Sequence, residues 1–138
     1  MDLNQFVQAL QKDLASEFVA ITHYLTYAAT IKGINRQELS EYFKSTAYDE
    51  LEHAQWFADK IAVFGGTPQI VCQPAAEANT PQDMVSISLK LEAQTVQNYT
   101  QRVAQAEALG LRALAVDIEN ILTDELEHRD ELAMLLGK

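Results

Sequence analysis

The chain contains few residues that cross-link a protein or interrupt its helices. Among its 138 residues there are one cysteine, three prolines and five glycines. The single cysteine, Cys72, excludes an internal disulfide, which is consistent with a reducing compartment. Because the amino terminus has no basic region and no long apolar run, we expect neither a signal peptide nor a membrane span. These absences predict a cytoplasmic protein.

Basic residues are also scarce. Ten lysines and arginines oppose 20 aspartates and glutamates, which gives a formal net charge of -10. An acidic surface repels phosphate backbones and attracts cations, so we expect no nucleic-acid partner. Hydrophobic residues make up 48% of the chain, which argues against disorder. The length suits one domain, residues 1–138, with one core.

Four segments have apolar residues at helical spacing. In the first segment the apolar stripe consists of Leu10, Leu14, Ile21, Leu25 and Ala28. Thr80 before Pro81, and Asn35 three residues before Glu38, are typical of helix starts. A glycine follows each segment, as is common after the last turn of a helix. We predict helices over about 4–32, 36–64, 81–109 and 111–136.

The stretch 65–80 has no periodicity and contains Pro68 and Pro74. About 16 extended residues reach roughly 50 Å, whereas a helix of about 27 residues is roughly 40 Å long. This crossover can therefore travel the length of a bundle. We predict an all-α four-helix bundle in which two antiparallel hairpins are joined by a long crossover.

One pentapeptide occurs twice, as residues 49–53 and 124–128, and each copy reads Asp-Glu-Leu-Glu-His. The copies lie 75 residues apart, and the same offset relates Glu17 to Glu92 and Tyr24 to Tyr99. Shared residues at one spacing indicate an internal duplication.

The duplicated residues are of the types that bind metals. In each pentapeptide a glutamate and a histidine are separated by three positions, so on a helix they share a face. A buried carboxylate without a partner costs several kcal/mol, but two divalent cations would neutralise four glutamates. Carboxylates with imidazoles suit iron or manganese. The predicted metal ligands are Glu17, Glu50, His53, Glu92, Glu125 and His128.

This constellation, with one glutamate from each of two helices and Glu-x-x-His from each of the other two, resembles that of the ferritin-like superfamily. The resemblance is closest to bacterioferritin and covers nearly the whole chain. It implies a ferritin-like bundle that binds two iron ions, with manganese as an alternative. The implied ligands are Glu17 and His53 for one metal, Glu92 and His128 for the other, and Glu50 and Glu125 as bridges.

The resemblance also implies residues that support the ligands. Asp49 would accept the free ring N–H of His128, and Asp124 would accept that of His53. These contacts fix the tautomer and make the other ring nitrogen a better ligand.

Several other residues have more than one interpretation. Tyr24 and Tyr99 could carry electrons, but we expect each to hydrogen-bond a ligand carboxylate. His23 lies off the ligand face and is not expected to bind metal. We expect Trp56 to pack in the core, and the repeated Glu52 and Glu127 to be surface charges; their positions are read from the helical spacing.

Two departures from bacterioferritins bear on the expected cofactor and assembly. Leu51 stands where they carry a haem-ligating methionine after the bridging glutamate, so haem is not expected by that route. The sequence stops one residue after Gly137, so we expect no fifth helix. That helix builds the four-fold channel of 24-subunit ferritins. We therefore expect a homo-oligomer that is at least a dimer, or a smaller shell.

The function implied by the resemblance is that of a ferroxidase, which oxidises Fe(II) with O2 or H2O2 for iron storage or detoxification. The main alternative is a di-iron or di-manganese oxidase or peroxidase without storage, similar to rubrerythrin or manganese catalase. A DNA-protecting miniferritin is less favoured because the chain is acidic. A structural bundle that metal merely stabilises is a further alternative.

Overall fold

The computed structural model describes residues 1–138, and four long α-helices account for most of them. No strand is present, so the fold class is all-α, as predicted. Each helix begins and ends within about two residues of the range expected from the sequence. The helices are α1 (Leu3–Thr30), α2 (Arg36–Val63), α3 (Pro81–Ala108) and α4 (Arg112–Leu135).

Side-chain caps explain where two of the helices begin. At α1, Asp2 accepts from the backbone N–H of Gln5, and the Gln5 side chain accepts from the backbone N–H of Asp2, both at 2.8 Å. This capping box follows the Asp-x-x-Gln pattern that the sequence contains. At α3, the Thr80 hydroxyl accepts from the N–H of Asp83 at 3.1 Å. Asn35 is the residue that precedes α2, as predicted, but its side chain makes no capping hydrogen bond.

A tight turn links α1 to α2 and makes them antiparallel neighbours. Ile31 leaves the helix and is completely buried, so α1 ends two residues earlier than predicted. The Arg36 guanidinium donates to the carbonyl oxygens of Ala29, at 3.2 Å, and Ile31, which satisfies groups that the helix end leaves free. Gly33 has a φ of 119°, a conformation that residues with a Cβ rarely adopt.

The crossover from residue 65 to 80 runs without regular structure and is hydrogen-bonded to α1 at two places. Near its start, the Gln11 side chain donates to the Thr67 carbonyl at 2.8 Å and accepts from the Gln69 N–H at 3.1 Å. The Tyr27 hydroxyl donates to the carbonyl of Ala76 at 2.6 Å, and the Ala76 N–H donates to His23 Nε2 at 3.0 Å. The other His23 ring nitrogen lies 2.7 Å from the Val19 carbonyl. His23 therefore binds the crossover. Cys72, which also lies on the crossover, is an exposed free thiol.

The apolar core is divided into two clusters. One contains 12 buried residues, among them Phe6, Phe57 and Ile118, and half-buried Trp56 packs against it. The other contains 10 buried residues, among them Phe43. On each helix the predicted metal ligands lie between residues of the two clusters. The fold therefore places a polar layer in the middle of the bundle.

Leu25 is an exception to the predicted stripe, because it is 54% exposed. The buried positions of α1 follow a seven-residue repeat, as in Leu14, Ile21 and Ala28. A repeat of 3.5 residues per turn differs from the 3.6 of a straight helix, and this difference moves position 25 to the edge of the packed face.

Three pairs of helices pack closely: α1 with α2, α3 with α4, and α1 with α3. The hairpins α1–α2 and α3–α4 are thus joined mainly through α1 and α3, which run antiparallel. No helix combines the length and the apolar character that crossing a membrane requires.

Candidate metal centre

The structure brings all six predicted metal ligands to one point in the polar layer. None is more than 8% exposed. Their ligand atoms form two groups of four, and within each group the atoms lie within 4.8 Å of one another. Both groups contain Glu50 and Glu125. The first group adds Glu17 and His53, and the second adds Glu92 and His128.

Each histidine directs Nδ1 towards carboxylates from other helices. His53 Nδ1 lies 2.8 Å from Glu125 and 3.8 Å from Glu17. His128 Nδ1 lies 3.1 Å from Glu50 and 3.6 Å from Glu92. The two imidazoles therefore occupy equivalent positions in the two halves of the duplication.

The other ring nitrogen of each histidine contacts an aspartate across the α2–α4 interface. His53 Nε2 lies 2.8 Å from Asp124, and His128 Nε2 lies 3.0 Å from Asp49. These aspartates keep the proton on Nε2, so Nδ1 is the ring nitrogen that a metal cation would bind after displacing a proton. Both aspartates are about half exposed, at 52% and 54% for their side chains. The centre is therefore separated from solvent by one side chain on this face.

Two tyrosines hydrogen-bond the glutamates of α1 and α3. The Tyr24 hydroxyl donates to Glu92 at 2.5 Å, and the Tyr99 hydroxyl donates to Glu17. Burial raises the pKa of both tyrosines, and the adjacent carboxylates raise it further, so the phenols remain protonated donors. Each glutamate retains a second oxygen for another partner.

The packed charges shift several pKa values. Burial raises the pKa of Glu92 to about 8 and that of Glu50 well above its usual range, where Glu17 adds to the effect. Burial alone would lower the pKa of His53, but the close contacts and negative charges of Glu125 and Glu17 outweigh it and raise the pKa to about 11. The pKa of His128 is raised to about 11 in the same way.

Glu125 shows the opposite shift. Burial acts to raise its pKa, but the close polar contacts with Glu92, His128 and His53 hold it well below the usual range for glutamate. The centre thus contains one firmly ionised carboxylate among neighbours that hold protons when no other cation is bound.

Seven buried polar atoms have no hydrogen bond of acceptable geometry, and all belong to the six predicted ligands. Such atoms are rare in folded proteins, because each costs about 1–3 kcal/mol or more. They are imidazole nitrogens and carboxylate oxygens, the donor set that iron and manganese prefer. The residues present therefore fit a pair of divalent cations. The unbonded atoms are Glu17 Oε2, Glu50 Oε1, His53 Nδ1, Glu92 Oε2, both oxygens of Glu125, and His128 Nδ1.

One buried ion pair beside the centre was missed by the sequence reasoning. Arg102 Nε lies 2.6 Å from Asp13 Oδ2, and Arg102 Nη2 lies 2.9 Å from Asp13 Oδ1. Burial raises the pKa of Asp13 to about 6, against the hydrogen bond and charge of Arg102. Asp13 precedes Glu17 by one helical turn and lies on the same apolar stripe. That position was the signal that could have revealed it.

The repeated Glu52 and Glu127 are exposed and lie outside the centre. Five cavities of about 220 to 630 Å³ open at the surface, and none is lined by the six predicted ligands. None of these five cavities therefore opens onto the centre.

Comparison with known proteins agrees with this geometry. A family model described as a ferritin-like domain matches residues 7–138. Bacterioferritin from Mycobacterium leprae is 24% identical over 132 residues, which cover 95% of this chain and 83% of that protein. Bacterioferritin from Desulfovibrio desulfuricans is 28% identical over 125 residues, which cover 88% of this chain and 69% of that protein.

A solved structure, described as one of the ferritin-like, diiron-carboxylate proteins from Bacillus anthracis, superposes with a TM-score of 0.94. It is 36% identical in sequence, and the match covers 99% of both chains. The four-helix architecture, the buried carboxylate and histidine groups, and the family match over nearly the whole chain lead to one conclusion: the protein belongs to the ferritin-like domain family.

Proposed function

We propose that the protein is a ferroxidase of the bacterioferritin type, which oxidises Fe(II) at a dinuclear centre inside the bundle. The observation that carries this proposal is the convergence of two ligand groups on shared Glu50 and Glu125, with seven buried polar atoms lacking hydrogen bonds. Cations would satisfy these atoms, and because the two ligand groups share residues, two cations would lie close together.

Each proposed ligand has a distinct role. The two glutamates common to both groups bridge the metals, and one glutamate with one histidine completes each position. Four glutamates at full ionisation balance the charge of two divalent cations, so the centre is neutral only when both are bound. The proposed ligands are Glu17 and His53 for one metal, Glu92 and His128 for the other, and Glu50 and Glu125 for both.

The reaction is a two-electron transfer from the substrate iron to a small oxidant. Two Fe(II) ions supply two electrons, and O2 with two protons takes them up as H2O2. The chain's own residues orient the ligands and hold protons. Tyr24 and Tyr99 donate to Glu92 and Glu17, which leaves each glutamate one oxygen for metal. Because none of the five cavities opens onto the centre, metal ions and small oxidants are favoured as substrates.

The test is aerobic loading of the purified protein with excess Fe(II), followed on an oxygen electrode and by separation on a calibrated sizing column. We expect oxidation faster than in buffer and O2 consumption near one per two irons. A Glu125→Gln variant should lose this activity, whereas Glu127→Gln, which changes an exposed residue two positions away, should retain it. Equal rates for the wild type and Glu125→Gln would overturn the proposal.

A second candidate function is a di-iron or di-manganese oxidase or peroxidase without storage. It is favoured by the structural match to a protein described only as a ferritin-like diiron-carboxylate protein. The same sizing column separates the two functions. A large homo-oligomer holding many irons per chain supports storage. A dimer holding about two irons per chain, with H2O2 consumed faster than O2, supports the second candidate.

A further inference from the structure

The internal duplication predicts similar surroundings for the two halves of the centre, but the residues one helical turn outward from Glu17 and from Glu92 differ in their bonding. The offset of 75 residues relates Glu17 to Glu92 and Tyr99 to Tyr24, which make equivalent hydrogen bonds. The next positions outward along α1 and α3 are Asp13 and Arg102 on one side. Their counterparts at the same offset are Ser88 and Tyr27.

On the Glu17 side, a charged contact joins α1 to α3. Arg102 makes a bidentate pair with Asp13, at 2.6 and 2.9 Å, and its third nitrogen donates to Gln105 at 2.5 Å. Asp13 is 1% exposed and Arg102 is 7% exposed. A bidentate pair with both members buried fixes direction as well as distance. It lies one turn beyond the Tyr99–Glu17 hydrogen bond, so two successive contacts join the helices here.

On the Glu92 side, the corresponding residues do not bond across the interface. The Ser88 hydroxyl donates to the carbonyl of Met84 in its own helix at 2.8 Å. The Tyr27 hydroxyl donates to Ala76 of the crossover at 2.6 Å. The Tyr24–Glu92 hydrogen bond therefore has no second contact one turn away.

We propose that Asp13 and Arg102 are positioning residues that preorganise Glu17 and make the Glu17–His53 position bind metal more tightly than the Glu92–His128 position. This inference rests on the proposed dinuclear centre. The pair sets the spacing and rotation of α1 against α3 one turn from Glu17, so less reorganisation is needed when metal binds. Because the charges of Asp13 and Arg102 cancel, the pair affects metal binding through the position of Glu17 and not through a net charge.

The experiment measures each position separately. His128→Ala leaves the Glu17–His53 position, and His53→Ala leaves the Glu92–His128 position. Co(II) is titrated into each background by calorimetry and by its visible absorption. Arg102→Lys is then added, because lysine keeps the charge but cannot form a bidentate pair. We expect affinity to fall about tenfold in the His128→Ala background and to stay within about twofold in the His53→Ala background.

Tyr27→Phe is the matched control, because it removes the hydrogen bond of the residue that corresponds to Arg102 in the duplication. It should leave both affinities unchanged. Circular dichroism and thermal melting establish that each variant is folded. If Arg102→Lys does not fold, Gln105→Ala replaces it, since that change removes only one of the arginine's hydrogen bonds. It should weaken the Glu17–His53 position alone by about two- to threefold.

The outcomes separate this inference from the proposed function. Equal loss in both backgrounds, or no loss in either, would overturn the positioning role while leaving the ferroxidase proposal intact. A wild-type protein that binds no Co(II) would overturn both. The wild type could bind two Co(II) ions without oxidising Fe(II), while Co(II) binds more tightly in the His128→Ala background than in the His53→Ala background. That result would support the positioning role and reject the ferroxidase.

Discussion

Two interfaces join the hairpins of this bundle, and they are held together by different chemistry. Across α1–α3, the contacts are tyrosine–glutamate hydrogen bonds and the Asp13–Arg102 ion pair. Across α2–α4, the polar contacts are mainly those of His53 and His128 with aspartates and glutamates of the opposite helix. Of the seven unbonded buried atoms, five belong to α2 and α4, whereas α1 and α3 contribute only Glu17 Oε2 and Glu92 Oε2.

The comparison indicates that the two interfaces depend on metal to different degrees. The hydrogen bonds and the ion pair across α1–α3 form without metal, so this interface can remain rigid whether or not metal is present. An interface with unbonded carboxylates and imidazoles needs cations to complete it, and protons take that place when metal is absent. The α2–α4 interface also carries the half-exposed Asp49 and Asp124. We therefore expect metal binding to stabilise mainly the α2–α4 interface.

The largest effect is expected from Glu50→Ala, which removes a carboxylate common to both ligand groups. Bound metal should fall from two ions per chain to at most one, and Fe(II) oxidation should fall by about a hundredfold or more. Metal analysis after gel filtration measures the first quantity and stopped-flow absorbance the second. The control is Glu52→Ala, which changes an exposed residue of the same helix. A variant that still binds two metals would contradict the ligand assignment.

The affinity for metal should rise with pH between about 6 and 8. In the metal-free protein His53 and His128 have pKa values raised to about 11, and Glu92 has one raised to about 8. Metal must displace these protons, so each proton released contributes about tenfold per pH unit. Calorimetric titration in buffers of different ionisation enthalpy counts the protons. An affinity independent of pH would show that these groups are not ligands.

The same shifts predict the opposite trend for the stability of the metal-free fold. The raised pKa of Glu92 contributes stability that falls as pH rises from about 4.5 towards 8. The raised histidine pKa values contribute stability that is complete below about 6.5 and is lost as pH rises towards 11. Glu125 stays ionised over this range. Melting temperatures without metal should therefore fall from about pH 5 to pH 8, and a rise would contradict the shifts.

Removal of metal should destabilise the α2–α4 interface more than the α1–α3 interface. Metal at a hundred times its dissociation constant stabilises a fold by about 2.7 kcal/mol, which chelation would remove. Amide hydrogen exchange, with and without chelator, should increase most near His53 and His128. It should change least near Asp13 and Arg102, whose contacts involve no proposed ligand. Uniform changes across all four helices would remove the distinction between the interfaces.

The smallest effect is expected from Asp124→Asn, which weakens the acceptor for the His53 Nε2 proton. Its half-exposed position and the remaining amide oxygen limit the loss to about tenfold in metal affinity. Asp49→Asn should act equally on His128, because the two contacts are equivalent in the duplication. Asp117→Asn, an exposed change two turns earlier in α4, should have no effect. Unequal losses from the first two variants would show that the duplicated halves differ here as well.

Sequence reasoning succeeded where short-range spacing carries the information. The i,i+3 relation of Glu50 and His53 places both side chains on one helix face whatever the rest of the chain does. The duplication then identified equivalent positions in the second hairpin. Prediction was wrong for Leu25, because its exposure depends on how the helices twist around one another.

Helical periodicity and the repeated Glu-x-x-His were sufficient to define four helices, a crossover and a candidate metal centre. They could not identify the partner of Asp13, because Arg102 lies 89 residues away and has no repeated counterpart. Nor could they distinguish His23, which binds the crossover, from a merely buried histidine. Such pairings depend on the antiparallel register of α1 against α3 and on the path of the crossover. Only the packed tertiary structure sets those, because contacts between distant segments are decided by which side chains can be buried together.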